Sequence, residues 1–202
     1  MIILGISCYF HDSSAVIVQD GELICAAEEE RFSRKKHDFR FPEQSIEFCL
    51  KKAGIEPSEI DYVVFFEKPF LKFERILQSV ISTFPLSSKV FTQGMRAWAL
   101  DKLWVKNKIV SHLEIDPNII KFSEHHLSHA ASSYYCSPFS DSAVVTFDGV
   151  GEWASTTIGE ANKNNIKILK EIHFPHSIGL LYSAFTAFLG FEVNEGEYKV
   201  MG

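Results

Sequence analysis

The sequence predicts an α/β protein in which one arrangement of strands and helices occurs twice, the second time incompletely. Apolar residues make up 46% and charged residues 23% of the 202 residues, which is an ordinary composition for a chain with a packed core. Three strand patterns open the chain and are followed by alternating helix and strand patterns. A further group of three strand patterns and one helix pattern begins near residue 141. The fold class depends on this repetition.

The first half of the chain begins with three predicted strands, over residues 2–7, 14–19 and 23–28. Asp20 and Gly21 join the second strand to the third, because glycine accepts the positive φ of a two-residue type I′ turn. Helices are then predicted to alternate with strands, over residues 42–53, 62–66, 70–113, 119–122 and 125–135. This is the order of a ribonuclease-H-like lobe. Residues 1–140 are predicted to form such a lobe, with a helical insertion at about 70–113.

Residues 141–202 are predicted to start a second lobe of the same kind. Its strands are expected over residues 142–147, 153–158 and 166–172. Asn164 and Asn165 are predicted to join the last two strands. Ser177 is predicted to cap a helix that runs to Leu189, because a serine hydroxyl accepts a hydrogen bond from the first helical turn. The pattern stops after this helix, so the sequence is expected to be part of a longer protein. Two such lobes imply a cleft between them.

Charge and cysteine content exclude several classes of protein. Lys and Arg number 20 and Asp and Glu number 26, so the net charge of −6 argues against a general electrostatic grip on nucleic acid. The four cysteines form no C-x-x-C pair, which argues against a disulfide framework and favours a reducing, cytoplasmic location. The longest uncharged stretch, residues 177–191, is shorter than the ~18 residues that a membrane span needs. The N-terminus lacks the basic residues of a signal peptide.

The most specific local pattern is a histidine cluster within residues 123–130, which contain three of the eight histidines. On a helix, His125 and His129 stand at positions i and i+4 on one face. Two imidazoles at that spacing can reach one divalent ion at about 2.0–2.2 Å. His126 points about 100° away around the helix. A metal needs a third ligand, so a helix start with surface histidines remains the alternative.

A second pattern is the turn after the first strand, residues 9–14. His11 is a candidate general base, because imidazole titrates near neutral pH. Asp12 is predicted to orient His11 or to accept a hydrogen bond from a substrate hydroxyl, and Ser13 to donate to a phosphate. An ordinary polar turn is the alternative.

The turn after the first strand of the second lobe carries a third pattern. Gly149 and Gly151 let backbone N–H groups approach a phosphate closely. Asp148 is a candidate to hold a metal or a water molecule. An ordinary hairpin is the alternative, although the equivalent position of the His11 turn in the first lobe favours a functional role.

Basic residues concentrate in the loop over residues 31–40, which includes Lys36. Acidic residues nearly balance them, so a solvated loop is one interpretation. Binding of an anion, such as a phosphate of a nucleotide, is the other.

Five motifs that occur in order resemble one known family. They are Tyr9-Phe10-His11-Asp12-Ser13-Ser14-Ala15, Ala27-Glu28-Glu29-Glu30-Arg31-Phe32-Ser33-Arg34, Lys36-His37-Asp38, His125-His126-Leu127-Ser128-His129-Ala130 and Glu195-Gly196-Glu197-Tyr198-Lys199-Val200-Met201-Gly202. Together they resemble the N-terminal part of the antibiotic and nodulation-factor O-carbamoyltransferases. The resemblance covers nearly all 202 residues.

The resemblance implies an actin/hexokinase-like duplicated fold, related to the tRNA threonylcarbamoyladenosine transferases. Members carry a further, C-terminal domain that makes carbamoyl-adenylate from carbamoyl phosphate and ATP. The part that this sequence resembles then passes the carbamoyl group to a hydroxyl of a small molecule or sugar. The expected cofactors are a divalent metal, iron with zinc or manganese as alternatives, and the ATP-derived adenylate, with magnesium.

The resemblance also assigns roles to residues. His125 and His129 match the metal histidines, and the third metal ligand is expected to be an aspartate beyond Gly202. His11 matches the histidine that assists transfer. Residues 148–151 match a turn on the nucleotide side, and Lys199 closes the last motif as a catalytic cation. With this ligand and the adenylate-forming domain absent, the 202 residues alone are expected to be inactive.

Three other functions remain open from the sequence. A relative of the tRNA threonylcarbamoyladenosine transferases would share the fold, but the negative charge and the His11 turn argue against it. A non-catalytic fragment that binds metal or nucleotide is a second alternative. A sugar-kinase-type ATPase is a third, although Gly5-Ile6-Ser7-Cys8 lacks the acidic residue of its phosphate loop. The acceptor is not encoded in these motifs.

Overall fold

A computed structural model describes residues 1–88, 91, 98, 102–194 and 196–202 of the chain. These residues belong to two compact units. The first unit comprises Met1–Phe70 and Leu77–Ser123, and the second comprises Leu71–Ile76 and Glu124–Gly202.

The first unit contains a five-stranded mixed sheet. Its strands are β1 (Ile2–Ser7), β2 (Ser14–Gln19), β3 (Glu22–Glu28), β4 (Tyr62–Phe65) and β5 (Ile120–Phe122). The strand order is β3-β2-β1-β4-β5. Strands β1, β2 and β3 pair antiparallel, whereas β4 pairs parallel with both β1 and β5. The predicted strands are therefore found within one or two residues of their expected bounds.

The β2–β3 hairpin forms for the predicted reason. Asp20 has φ 52° and Gly21 has φ 87°. Positive φ at both central residues is the requirement of a type I′ turn. Gln19 and Glu22 pair directly across the turn, so its loop has the predicted two residues.

The described helices between β3 and β5 are α1 (Glu30–Ser33), α2 (Glu43–Ala53), α3 (Pro69–Ser82) and α4 (Val105–Leu113). Short 3₁₀ turns occur at Pro57–Glu59, Lys102–Trp104 and Pro117–Ile119. Helix α2 ends at Gly54, whose φ of 70° is the left-handed conformation that glycine favours. Part of the predicted helical insertion, residues 89, 90, 92–97 and 99–101, lies outside the described residues.

The core of the first unit lies between the sheet and two helices. Leu4 of β1 and Ile17 of β2 are fully buried, as are Ile46 of α2 and Ile109 of α4. They belong to one apolar cluster with Phe65 of β4. The alternation of buried residues along β1 explains the cluster, because alternate side chains of a strand face the same side.

The second unit contains a three-stranded antiparallel sheet in the order β6-β7-β8. Its elements are α5 (His125–Tyr134), β6 (Asp141–Phe147), β7 (Ala154–Asn162), β8 (Asn165–His173), α6 (Ile178–Phe188) and α7 (Glu197–Met201). Ala130 and Tyr134 of α5 pack with Val144 and Ala161 of the sheet. This packing holds the histidine helix against β6 and β7.

The turn between β7 and β8 differs from the prediction by one residue. Asn162 pairs with Asn165, so Lys163 and Asn164 form the loop. Lys163 takes the positive φ, 51°. The Asn-Asn dipeptide was a misleading signal, because the cross-strand register of β7 and β8 fixes the turn position.

The structure confirms a mixed α/β protein, whereas duplication of a ribonuclease-H-like lobe stays a prediction. Helix α5 belongs to the second compact unit, although the predicted lobe boundary at residues 140 and 141 groups it with the first. Among the described residues, no helix combines the length and apolar character that crossing a bilayer requires.

Candidate metal centre and neighbouring turns

The two predicted metal histidines meet on one face of α5. The Nε2 atoms of His125 and His129 lie 3.0 Å apart. The His125 side chain is 5% exposed and that of His129 is 49% exposed. Their i, i+4 spacing on a regular helix therefore brings two imidazole nitrogens together, as predicted.

Asp148 completes the group from the end of β6. Its Oδ2 lies 2.5 Å from Nε2 of His125 and 3.7 Å from Nε2 of His129. One ligand atom from each of the three side chains lies within 4.8 Å of the other two. Burial raises the pKa of Asp148, but the hydrogen bond with His125 and the nearby ring of His129 outweigh burial and hold that pKa well below its usual range. The carboxylate is therefore ionised at neutral pH.

These three side chains fit a divalent metal ion. Two imidazole nitrogens and one carboxylate oxygen are a donor set that zinc and non-haem iron use. The family resemblance predicts two ligands within these residues and an aspartate beyond Gly202 as the third. The described residues themselves contain a third donor, Asp148, which the sequence offers as a candidate for a metal or a water molecule and which the family resemblance places in a turn on the nucleotide side.

Close backbone packing fixes the position of Asp148. Its Oδ1 accepts a hydrogen bond from the N–H of Gly149 at 2.6 Å. The Ser177 hydroxyl donates to the carbonyl oxygens of Asp148 and Gly149, at 3.0 and 2.7 Å. A Cβ added to Gly179 would lie 2.4 Å from the Asp148 carbonyl oxygen, so the first turn of α6 lies directly against this residue. Ser177 also caps α6, as predicted.

Gly151 brings the same turn against the histidines. A Cβ added there would lie 3.1 Å from Cδ2 of both His125 and His126. By contrast, a Cβ on Gly149 would meet only Leu180, at 3.8 Å. Gly151 therefore has a packing role in addition to its predicted role in phosphate binding, which stays a prediction for both glycines.

His126 points away from the three donors, as predicted. Its Nε2 donates to the Ala154 carbonyl oxygen at 2.9 Å, and its Nδ1 lies 2.6 Å from the Thr146 hydroxyl. The Thr146 hydroxyl is in turn 2.7 Å from that of Thr157. Burial lowers the pKa of His126, which favours the neutral ring. His126 thus anchors α5 to the sheet.

Two residues of this centre were not predicted. Glu152 is buried, and its carboxylate accepts a hydrogen bond from the N–H of His125. Gly179 supports Asp148 as described above. A signal for Gly179 existed, since a glycine inside a helical pattern costs stability and usually has a packing reason. For Glu152, the sequence offers only its closeness to Asp148, which lies four residues earlier in the same turn.

The His11 turn in the first unit also contains an aspartate between histidines. Asp12 Oδ2 lies 2.8 Å from Nδ1 of His11, and its Oδ1 lies 2.8 Å from Nδ1 of His37. Burial raises the pKa of Asp12, but the hydrogen bonds with His37 and His11 together lower it by more, so the pKa is below its ordinary value. Asp12 is therefore placed to orient His11 through Nδ1. The backbone N–H of His37 donates to Glu30, which fixes the loop.

The remaining predicted residues have different environments. Ser13 is fully buried, and its hydroxyl donates to the Arg40 carbonyl oxygen at 2.5 Å. This structural partner does not favour its predicted contact with a phosphate. Lys36 is exposed in the loop that follows α1. Lys199 is exposed on α7, with its Nζ 5.7 Å from the centre of the Tyr198 ring. The roles of both lysines stay predictions.

Comparison with known proteins identifies the family. Residues 2–202 match the family described as Carbamoyltransferase N-terminus. The chain belongs to this family. The resemblance inferred from the five motifs is confirmed by this match and by a nodulation protein, NolNO of Sinorhizobium fredii. NolNO is 37% identical over 199 residues, which cover 96% of this chain and 27% of NolNO.

Two further relatives are similar over nearly the whole chain. The "Uncharacterized protein sll1178" of Synechocystis sp. is 49% identical over 209 residues, covering 99% of this chain and 34% of sll1178. The "Uncharacterized protein MJ1051" of Methanocaldococcus jannaschii is 33% identical over 200 residues, covering 99% of this chain and 32% of MJ1051. The chain therefore spans about a third of the length of the curated relatives that it matches.

Proposed function

We propose that this chain is the part of an O-carbamoyltransferase that moves a carbamoyl group from carbamoyl-adenylate to an acceptor hydroxyl. The observation that supports the proposal is the convergence of His125, His129 and Asp148 in a chain of the carbamoyltransferase family. In this proposal, a further domain of a longer protein makes carbamoyl-adenylate from carbamoyl phosphate and ATP with magnesium. Family membership favours this function over the threonylcarbamoyl-transfer and kinase alternatives.

The metal is proposed to bind at His125, His129 and Asp148. A bound divalent ion, iron with zinc or manganese as alternatives, supplies a Lewis acid that stabilises negative charge on a carbonyl or phosphate oxygen. The ionised Asp148 carboxylate balances part of the positive charge of the ion. The buried ring of His125 and the more exposed ring of His129 leave one side of the group accessible to solvent.

His11 is proposed to accept the proton of the acceptor hydroxyl. Asp12 contacts Nδ1 of His11, which leaves Nε2 to act as the base. The acceptor oxygen forms a bond to the carbamoyl carbon, the bond from that carbon to the adenylate oxygen breaks, and AMP leaves. The proton moves from the hydroxyl to Nε2. Lys199, Lys36 and the backbone of Gly149 and Gly151 are proposed to bind phosphate oxygens, whereas the buried Ser13 is not part of this proposal.

The experiment measures carbamoyl transfer by a protein of the relatives' full length that contains this chain. The protein is incubated with carbamoyl phosphate, ATP, a divalent metal and a panel of sugar and small-molecule alcohols, and carbamoylated products are detected by mass spectrometry. We expect H125A, H129A and D148A to abolish the product, and H11A to lower the rate by about 10²–10⁴-fold, the usual contribution of a general base. The 202-residue chain alone is expected to form no product.

The control variant is H173A, because the His173 side chain is exposed and its described hydrogen bond is to Glu171, outside the proposed metal centre. It should keep the wild-type rate. Undiminished transfer by H125A and H129A would contradict the metal's role. Transfer that needs neither ATP nor carbamoyl phosphate would contradict the proposed donor.

A further inference from the structure

Glu152 binds the helix that carries the two histidines. Its side chain is buried, and both carboxylate oxygens lie 3.0 Å from the backbone nitrogen of His125. His125 is the first residue of α5. The first N–H groups of a helix have no partner within the helix, and a carboxylate there also interacts favourably with the helix dipole. Glu152 therefore caps α5 from a distant part of the chain.

The same turn contacts His125 a second time. Asp148 Oδ2 lies 2.5 Å from the imidazole Nε2, while Glu152 accepts from the backbone N–H. The five-residue turn 148–152 thus holds both the imidazole ring and the backbone N–H of His125. The turn is itself held by hydrogen bonds from Asp148 N to the Ser155 carbonyl oxygen and from Gly151 N to the Ala154 carbonyl oxygen, at 2.9 and 3.0 Å. It cannot shift along α5 without breaking one of the two contacts.

We infer that Glu152 is a positioning residue for the metal centre, which sets the distance between Asp148 and the histidines of α5. The inference rests on the proposed function, because it needs a metal at His125, His129 and Asp148. Partners that orient metal ligands usually change metal affinity by about 10–100-fold when they are removed. Without the cap, the start of α5 can shift relative to the turn that carries Asp148, and the distance from Asp148 to the two histidines changes.

The first unit supplies a matched control. Glu29 is also a buried glutamate that caps a helix from outside it. Its carboxylate accepts hydrogen bonds from the N–H groups of Gln44 and Ser45, at 3.3 and 2.8 Å, in the first turn of α2. Helix α2 carries none of the three proposed metal ligands. Loss of either cap should affect stability, but only loss of Glu152 should affect the metal.

The test uses Co²⁺ as the probe and the full chain as the protein. Cobalt affinity is measured by chelator competition, and the visible absorption bands of bound Co²⁺ report the ligand geometry. We expect E152L, which removes the acceptor at similar size, to weaken Co²⁺ binding about tenfold or more and to shift the bands at saturation. E152Q keeps an oxygen that accepts from His125 N–H, so it should stay within about threefold of wild type with an unchanged spectrum. E29L should leave affinity and spectrum unchanged.

Two results overturn the inference, and they differ in what else they affect. Wild-type affinity and spectrum in E152L, together with lost binding in H125A, would show that Glu152 does not position the ligands and would leave the metal centre intact. Wild-type binding in H125A and H129A would overturn both the inference and the proposed metal centre. If E152L fails to fold, E152D decides, since its shorter side chain withdraws the carboxylate from His125 N. An unchanged Co²⁺ spectrum in folded E152D would then overturn the inference.

Discussion

The turns after β1 and after β6 each place an aspartate between two histidines, but they do so through different ring nitrogens. Asp12 contacts the Nδ1 atoms of His11 and His37, whereas Asp148 contacts the Nε2 atoms of His125 and His129. The His11 side chain is 59% exposed, and that of His125 is 5% exposed. The two turns therefore combine the same residue types with a different ring nitrogen in contact and a different exposure of the histidine. In the proposed function, the exposed His11 ring accepts a proton, whereas His125, His129 and Asp148 hold the metal, with His125 buried and His129 49% exposed.

The largest expected effect is on metal affinity, which substitution of Asp148 should lower and substitution of Asp12 should not. D148N should weaken divalent metal binding by more than about 100-fold, since it removes a charged ligand rather than a partner of a ligand. D12N leaves His125, His129 and Asp148 intact, so it should bind metal as the wild type does. Elemental analysis of the purified chains after loading with Fe²⁺ or Zn²⁺ measures both. Equal metal loss in the two variants would remove the distinction between the turns.

The second prediction concerns the packing that the Asp148 turn needs. G179A should destabilise the chain by about 1–3 kcal/mol, because the new Cβ would lie 2.4 Å from the Asp148 carbonyl oxygen and the turn must move. Metal affinity should fall with it. G149A is the matched control, since its Cβ would meet only Leu180 at 3.8 Å. Urea denaturation measures both variants, and an equal loss in G149A would contradict the steric explanation.

The third prediction uses pH to test whether the Asp38–Arg40 ion pair stabilises the loop that contacts the His11 turn. The Asp38 carbonyl oxygen accepts from Ser13 N, and hydrogen bonds from Arg40 hold the pKa of Asp38 well below its ordinary value of 3.8. The ionised form therefore stabilises the folded chain fully above pH 4, and this stabilisation is lost as the pH falls toward the folded pKa. Removing it by D38N should cost about 1–3 kcal/mol at pH 7. The cost should shrink at pH 3, as measured by urea denaturation of metal-free protein.

A constant difference between D38N and the wild type from pH 7 to pH 3 would contradict the Asp38–Arg40 pair as its source. E43Q is a suitable control, because Glu43 is an exposed acid in the first turn of α2. Its substitution should change the free energy of unfolding by less than about 0.5 kcal/mol, as most surface substitutions do.

The smallest expected effects come from the serines that hold each turn. S13A removes the hydrogen bond to the Arg40 carbonyl oxygen, and S177A removes those to Asp148 and Gly149 together with the cap of α6. Each should lower the free energy of unfolding by about 1 kcal/mol. Only S177A should alter metal affinity. A large loss of carbamoyl transfer in S13A with little loss of stability would instead support the predicted phosphate contact of Ser13.

The sequence predicted local structure better than the non-local contacts of the candidate metal centre. Positive φ at Asp20 and Gly21 and the i, i+4 spacing of the histidines are local properties, which a short stretch of sequence determines. The approach of Asp148 to His125 is not local, because it depends on α5 packing against β6 and β7. The Lys163–Asn164 loop was missed by one residue for a similar reason, since pairing along both strands sets it. Burial of Ser13 likewise depends on the loop of Arg40, which has no periodic pattern.

The hydrogen bonds of the His126 ring also affect how fast its ring proton exchanges with water. The Ala154 carbonyl oxygen can only accept, so the neutral ring carries its proton on Nε2, and that proton lies in a side chain 4% exposed to solvent. Exchange of this proton with water requires α5 to separate from β7. The exchange rate of this proton, read from the imidazole signal in NMR spectra, therefore reports how often the histidine helix α5 opens.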